Sequence, residues 1–188
     1  KGAEINYTLD MTGGLFWRDH IEAVCELLAP GVDPQSMALF QANTVNLFHY
    51  DSRTDTDNTF RPSTLLQLVQ HPRVVATDII QQLETPEGDK KALVYALRDK
   101  LKEPLFAEHF IDADGIGALL ALVRQVYGNT QTYALNAVQM AMCYVSGMRT
   151  VAERSECMEQ LYALMPADNV AVSRRALELV FVLCDYCE

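Results

Sequence analysis

Long helical segments recur at a nearly constant interval in the second half of the chain. They begin near Asp89, Thr130 and Asp168, which lie 41 and 38 residues apart. Within each segment apolar residues return every three or four positions, the period of a helix with one buried face. A short and a medium helical segment separate successive long ones. Because a three-helix unit cannot bury its apolar face alone, this pattern predicts a stack of such units.

Three helices in about 40 residues is the spacing of armadillo repeats. The spacing favours a right-handed solenoid whose concave face is lined by the long third helices. The last segment is apolar on nearly all sides, so it must be covered from several directions, and we expect the solenoid to continue past it. Helices are predicted over residues 74–83, 89–101, 104–111, 114–127, 130–145, 151–165 (a pair) and 168–186.

The first 72 residues carry a different pattern. Apolar and polar residues alternate over 3–11, which is typical of a half-buried strand, and a Thr-Gly-Gly turn leads to a second strand at 15–17. A helix is predicted from Asp19, with Glu22 placed for a capping box. Three more strands are predicted over residues 37–41, 45–50 and 63–69. This order predicts an α+β ubiquitin-like roll over 1–72, followed by an all-α domain over 73–188.

Charge and composition narrow the class of partner. The net charge is −10, from 15 Lys and Arg against 25 Asp and Glu, which disfavours a nucleic-acid partner and favours a basic one. An apolar fraction of 49% excludes a disordered chain. The five cysteines are an odd number, and we interpret them as reduced thiols of a cytosolic protein.

No sequence motif of catalysis or cofactor binding is present. The chain lacks a Gly-x-Ser-x-Gly elbow, a P-loop and a Gly-x-Gly-x-x-Gly turn, so we expect neither an enzyme nor a bound cofactor. Cys184 and Cys187 supply two of the four ligands of a zinc site, and we interpret them as structural thiols. The acidic loop over residues 51–58 lacks the glycine and glutamate of a calcium loop, which indicates a solvated loop.

Two aromatic residues and an arginine at positions 16–18 have the composition of a binding site. Adjacent residues of a strand face opposite ways, so if Phe16 fills the core, Trp17 points outward beside Arg18. An exposed Trp next to an Arg is typical of a binding hot spot. The alternative is that Trp17 packs under the helix or against the solenoid.

Polar stripes on two of the long helices form a second candidate site. In an armadillo stack the two stripes would be adjacent on the concave groove, where they would bind a peptide, with apolar contacts from Met140 and Cys143. The alternative is a solvated face. The stripes comprise Asn136, Gln139 and Cys143 on one helix and Arg174, Arg175, Glu178 and Asp185 on the last.

Three stretches resemble known proteins. Residues 106–116, a phenylalanine-rich helix running into an acidic residue, Gly and Ile, resemble the armadillo segment of ELMO proteins and FHOD-type formins. Residues 133–148 and 176–188 are most similar to the formin homology 3 region of FHOD-type formins. Residues 64–68, with the helix after them, are similar to the end of the ubiquitin-like GTPase-binding domain of both families.

The resemblance implies a regulatory N-terminus, with a GTPase-binding domain joined to an armadillo region. In such formins this region holds the actin-assembling half inactive by binding a basic amphipathic C-terminal segment, and a Rho-family GTPase relieves the block. Phe16, Trp17 and Arg18 would then contact the GTPase, and actin would be reached only through other domains. The implied location is the cytoplasm, on the cytoskeleton at the cell cortex.

Two other functions stay open at this point. One is the N-terminal region of an ELMO-like adaptor for a guanine-nucleotide exchange complex. The other, of a different class, is a structural oligomerisation scaffold, such as a homodimer.

Overall fold

The computed structural model describes residues 16–42, 44, 46–52 and 64–187. The chain divides into two compact units, Lys1–Val74 and Val75–Glu188. Predicted features at residues 3–11, 12–15 and 53–63 lie outside the described residues. The ubiquitin-like roll therefore stays a prediction, because its first strand falls there and the described part of its second, residues 16–17, leads into a helix.

The first unit contains one helix and a small antiparallel sheet. Helix α1 (Trp17–Leu28) is followed by a 3₁₀ turn (Pro34–Ser36) and by strands β1 (Met37–Gln41), β2 (Leu47–His49) and β3 (Leu66–Gln70). The strand order is β2-β1-β3, with Leu39 opposite Phe48 on one side and Leu68 on the other. The strand predicted at 37–41 is confirmed, and the other two are shorter than or shifted from their predicted ranges.

The prediction of an outward-facing strand residue at position 17 is wrong. Trp17 is the first residue of α1, is 2% exposed and stacks on Phe48 with ring centroids 4.1 Å apart. Its backbone N–H donates to the Ser52 carbonyl at 2.9 Å. Burying an indole removes a large apolar area from water, and this outweighs capping by Asp19 two residues later. Asp19 and Glu22 therefore lie inside the helix, and Phe16 is its N-cap.

The second unit is helical throughout its described residues. Its helices are α2 (Pro72–Glu84, which begins in the first unit), α3 (Lys90–Lys100), α4 (Pro104–Asp112), α5 (Gly115–Gln125), α6 (Gly128–Ala141), α7 (Val145–Ala152), α8 (Ser155–Leu164) and α9 (Val170–Cys187). None of the described helices is long and apolar enough to cross a membrane.

Helices α3, α6 and α9, which we call the long helices, pack side by side, and α4, α5, α7 and α8 lie between them in the chain. Only α6 and α9 exceed these intervening helices in length, because α3 and α5 both have 11 residues. One continuous core runs through the unit, with Phe106, Phe110, Leu119 and Leu135 at most 1% exposed. Helix ends differ from the prediction by a few residues. The two largest differences are α7, which begins at Val145 rather than 151, and α6, which ends at Ala141 rather than 145. Helix α9 is capped by Asn169 in place of Asp168.

A short motif fixes the repeat register. Tyr95-Ala96-Leu97, Tyr133-Ala134-Leu135 and Arg175-Ala176-Leu177 occupy the same part of the three long helices. Ala134 and Ala176 are fully buried where each long helix packs on the one before it, since only a small side chain lets two helix backbones approach. Positions 95, 133 and 175 are therefore equivalent, as are 98, 136 and 178.

Candidate peptide-binding face

The structure brings the two predicted polar stripes into contact. Arg175 of α9 donates from Nη1 to Oε1 of Gln139 on α6 at 2.6 Å. The contact joins two successive repeats at the surface of the long helices. We call this surface the third-helix face and define it by Tyr95, Tyr133, Asn136, Gln139, Met140, Cys143, Arg174, Arg175, Glu178 and Asp185.

Charge on this face is distributed differently from the prediction. Glu178 accepts from Arg174 Nε at 2.9 Å and from Arg175 Nη1 at 2.6 Å. Two guanidinium groups thus surround one carboxylate, and the cluster carries a net positive charge. Asp185, two turns further along α9, is exposed and forms no ion pair with the described residues. The negative charge expected from Glu178 is therefore offset, and Asp185 supplies the exposed acidic charge.

Two polar atoms at the centre of the face lack partners. Asn136 Oδ1 and Arg175 Nε are both buried, and neither forms a hydrogen bond with the described residues. Leaving a buried polar atom unsatisfied costs about 1–3 kcal/mol. One atom is an acceptor and the other a donor, which is the complement of a peptide group, whose N–H donates and whose C=O accepts.

The apolar part of the face follows α6. Met140 is half-buried against the core, and Cys143 is exposed one turn later, where its thiol donates to the Gln139 carbonyl at 3.5 Å. These two side chains lie beside the polar cluster rather than within it. They present an apolar surface one to two helical turns beyond Asn136.

The same face carries an aromatic pair that was not predicted from the sequence. Tyr95 of α3 and Tyr133 of α6 meet edge to face, with ring centroids 5.5 Å apart. Both precede the alanine of the repeated motif, and this shared position is the sequence signal that could have found them.

The triplet proposed for the first unit does not form an exposed Trp–Arg pair. Phe16 is half-buried, Trp17 is buried, and Arg18 is exposed with its guanidinium 4.5 Å from the Phe16 ring centroid. Nearby, the Tyr50 hydroxyl donates to the Glu22 carboxylate. This hydrogen bond, with a smaller contribution from burial, raises the pKa of Tyr50.

The described residues gather no metal-binding cluster of three or more His, Cys, Asp or Glu side chains. Away from the third-helix face, a cavity of about 180 Å³ lies between α5 and α8, with Arg124, Arg154 and Gln160 in its wall. Arg154 pairs with Asp114, and Arg124 donates to Gln160 at 3.0 Å. These arginines therefore connect the two helices.

Comparison with known proteins identifies the helical part. The family model of the FHOD1/3 FH3 domain matches residues 128–188. This stretch matches the FH3 domain of FHOD1/3-type formins. It comprises α6 to α9 and includes every residue of the third-helix face except Tyr95. The sequence-based assignment of residues 133–148 and 176–188 to an FHOD-type region is confirmed.

Similar proteins include formins and ELMO domain-containing protein A of Dictyostelium discoideum, which is 29% identical over 94 residues, 48% of this chain and 10% of that protein. Formin-G of Dictyostelium discoideum is 36% identical over 123 residues, which are 65% of this chain and 12% of that protein. Formin-C of the same organism is 30% identical over 181 residues, 90% of this chain and 15% of its own length. FH1/FH2 domain-containing protein 3 of Homo sapiens is 30% identical over 111 residues, 58% and 8% of the two lengths. The chain thus spans less than a sixth of these relatives.

Proposed function

We propose that this chain is a regulatory module of a formin, without enzymatic activity, and that its third-helix face binds a basic amphipathic helix. The observation that carries the proposal is the unsatisfied pair at the centre of the FH3 segment, Asn136 Oδ1 and Arg175 Nε. A peptide group offers a donor for Asn136 Oδ1 and an acceptor for Arg175 Nε, so a bound peptide that reached both atoms would remove their cost.

Charge supports a basic partner. From Arg73 onward the chain has 16 Asp and Glu against 11 Lys and Arg. Opposite charge speeds association and fixes orientation more than it adds affinity. Because Arg174 and Arg175 offset Glu178, the basic residues of the partner would lie towards Asp185 at the end of α9.

We further propose that the partner helix belongs to the C-terminal part of the same protein. The contact would then hold the actin-assembling part inactive, and a Rho-family GTPase bound to the first unit would release it. The similarity to formins and the resemblance of residues 64–68 to a GTPase-binding domain support this scheme. In the first unit Arg18 and Phe16 would contact the GTPase. Trp17 would support them by packing α1 against Phe48. The protein would act in the cytoplasm, on the cytoskeleton at the cell cortex.

Binding of synthetic peptides that tile the C-terminal part of the full-length protein tests the proposal. We expect one basic amphipathic peptide to bind in a fluorescence-anisotropy titration. Asn136→Ala should weaken it about tenfold, the effect of a lost hydrogen bond of about 1.4 kcal/mol. Asn129→Ala, at an exposed position of α6, is the matched control and should change binding less than twofold. If no peptide binds, or if both variants behave alike, the proposal is wrong.

Exposed apolar residues on α9 favour an oligomerisation scaffold as the second candidate. Leu177 is 53% exposed and Phe181 is 73% exposed, whereas Leu135, the equivalent of Leu177 on α6, is fully buried. A scaffold would show a mass that rises with concentration in sedimentation, and Phe181→Glu would abolish the rise. A monomeric mass at all concentrations would exclude this function. An ELMO-like adaptor would be recognised by an ELMO domain further along the full-length sequence.

A further inference from the structure

The equivalent positions 95, 133 and 175 form a row across the three long helices. Tyr95 contacts Tyr133 across the first pair of helices, and Arg175 reaches Gln139 across the second pair. The row thus changes along its length, from aromatic at the α3 end to charged at the α9 end. A helix lying across the face would meet apolar chemistry at one end and polar chemistry at the other.

Tyr95 contacts two neighbouring side chains while half of its surface is exposed to solvent. It is 50% exposed, its edge meets Tyr133, and the Arg98 guanidinium lies 4.9 Å from its ring centroid. Arg98 is itself beside Asp99, with N···O 3.4 Å. Contacts with Tyr133 and Arg98 restrict the Tyr95 side chain before a partner binds, so it loses little conformational freedom on binding. Aromatic residues of this kind contribute strongly to binding surfaces.

We propose that the Tyr95–Tyr133 pair is an anchor site for one apolar side chain of the partner helix. The inference rests on the proposed function and adds the orientation of the partner. The positive charge of Arg98 over the Tyr95 ring disfavours a lysine or arginine at this site. The partner therefore places a leucine, methionine or phenylalanine here and carries its basic residues towards Asp185.

Helix geometry sets the spacing between the anchor and the polar cluster. Packed helices lie 8–10 Å apart, and a helix rises about 1.5 Å per residue. The Tyr95–Tyr133 contact and the Gln139–Arg175 contact are one helix spacing apart across the face, and Gln139 lies six residues, about 9 Å, beyond Tyr133 along α6. Their separation of about 12–13 Å corresponds to about eight to nine residues of the partner. A partner that crosses α3, α6 and α9 needs about 11–13 residues, or three to four turns.

The test compares two equally exposed tyrosines with the C-terminal peptide that binds the unaltered chain. Tyr95→Ala should weaken binding about tenfold or more, the loss typical of an anchor residue. Tyr95→Phe should bind within about twofold, because the ring and not the hydroxyl makes the contact. Tyr162→Ala is the control, since Tyr162 is 51% exposed on α8 and lies outside the third-helix face.

A second arm identifies the anchored side chain. Each apolar residue of the peptide is changed in turn to alanine, and one change should cost little further affinity in the Tyr95→Ala protein while costing about tenfold in the unaltered one. That residue should lie about eight to nine positions from the residue that contacts the polar cluster.

The outcomes separate this inference from the proposed function. If Tyr95→Ala and Tyr162→Ala bind alike while Asn136→Ala weakens binding, the anchor is wrong and the peptide-binding face stands. If Tyr95→Ala unfolds the protein, the double variant Tyr95→Lys/Arg98→Gln replaces it in the same peptide scan. Binding at least about tenfold weaker than that of Tyr162→Ala supports the anchor, and equal binding shows that the anchor is wrong. Absence of binding by every peptide overturns the proposed function and this inference with it.

Discussion

Arg175 and Gln139 connect two successive repeats through a 2.6 Å hydrogen bond, and the same Arg175 nitrogen also donates to Glu178. The guanidinium therefore stands between an uncharged partner on α6 and a charged one on its own helix. Its Nε remains without a partner among the described residues. A ligand that binds Arg175 must compete with Glu178, so the charges around this side chain influence how strongly the third-helix face binds a ligand.

Removing the carboxylate of Glu178 should slow the binding of a basic peptide. In Glu178→Gln, Arg174 and Arg175 lose their shared counter-ion and the cluster becomes more positive. The association rate in stopped-flow measurements should fall several-fold at low salt and less at high salt, because the field is screened over about 8–10 Å. Glu159→Gln, at an exposed site on α8, is the control. Equal rates for the two variants at all salt concentrations would contradict this description of the cluster.

Trp17 should contribute to stability and not to peptide binding. Trp17→Ala removes a side chain that is 2% exposed and stacked on Phe48, so the free energy of unfolding of the first unit should fall by about 3–5 kcal/mol. Arg18→Ala, an exposed neighbour, should change it by less than about 0.5 kcal/mol. Urea unfolding followed by circular dichroism measures both. An unchanged free energy of unfolding in Trp17→Ala would contradict the burial of Trp17.

Substitution by alanine should affect stability differently at two helical glycines. A Cβ at Gly147 would lie 2.7 Å from the Ala141 carbonyl carbon, and the backbone there cannot move aside. A Cβ at Gly117 would meet the Asp114 and Arg154 side chains at 2.5 and 2.8 Å, and these can shift. Gly147→Ala should cost about 1–3 kcal/mol of stability. Gly117→Ala should be nearly neutral, because the gain in helix propensity offsets the shift. Similar melting temperatures for both variants would contradict the packing.

The five cysteines should divide by burial in their reaction with a thiol reagent. Cys143, Cys184 and Cys187 are exposed, whereas Cys25 and Cys157 are buried. Burial raises the pKa of the Cys157 thiol, so the neutral form is favoured in the folded state. Its contribution to stability is complete below about pH 8.5, the usual thiol pKa, and declines as the pH rises through the raised value.

Iodoacetamide labelling at pH 7.5, read by mass spectrometry of peptides, should therefore modify Cys143, Cys184 and Cys187 within minutes and leave Cys157 unmodified. Cys157→Ser should flatten the decline in stability above pH 9. Rapid labelling of Cys157 in the folded protein would contradict its placement in the core.

Helical periodicity predicted most helices of the second unit, since a buried stripe leaves a regular apolar pattern, but it placed the start of α7 six residues too late. Helix ends were less predictable because a cap depends on local geometry. Asp168 and Asn169 are both good caps, and only the structure shows Asn169 Oδ1 accepting from the backbone of Ala171 and Val172. Residues 15–17 were too few to distinguish a strand from a helix start, so tertiary burial of Trp17 decided the outcome.

The candidate site could be predicted in position but not in charge. Stripes on equivalent helices become neighbours in any stack of repeats, which is why Gln139 and Arg175 could be placed on one face. The side-chain conformations that turn Arg174 and Arg175 onto Glu178 are not encoded in spacing. The Tyr95–Tyr133 contact could be found only after the repeat register was known.

Hydrogen–deuterium exchange with and without the C-terminal peptide tests most directly whether the third-helix face binds a helix. Binding there should slow amide exchange in α3, α6 and α9 and leave α5 and α8 unchanged, because these medium helices contribute no residue to the face. Slower exchange confined to α5 and α8, or to the first unit, would contradict the account.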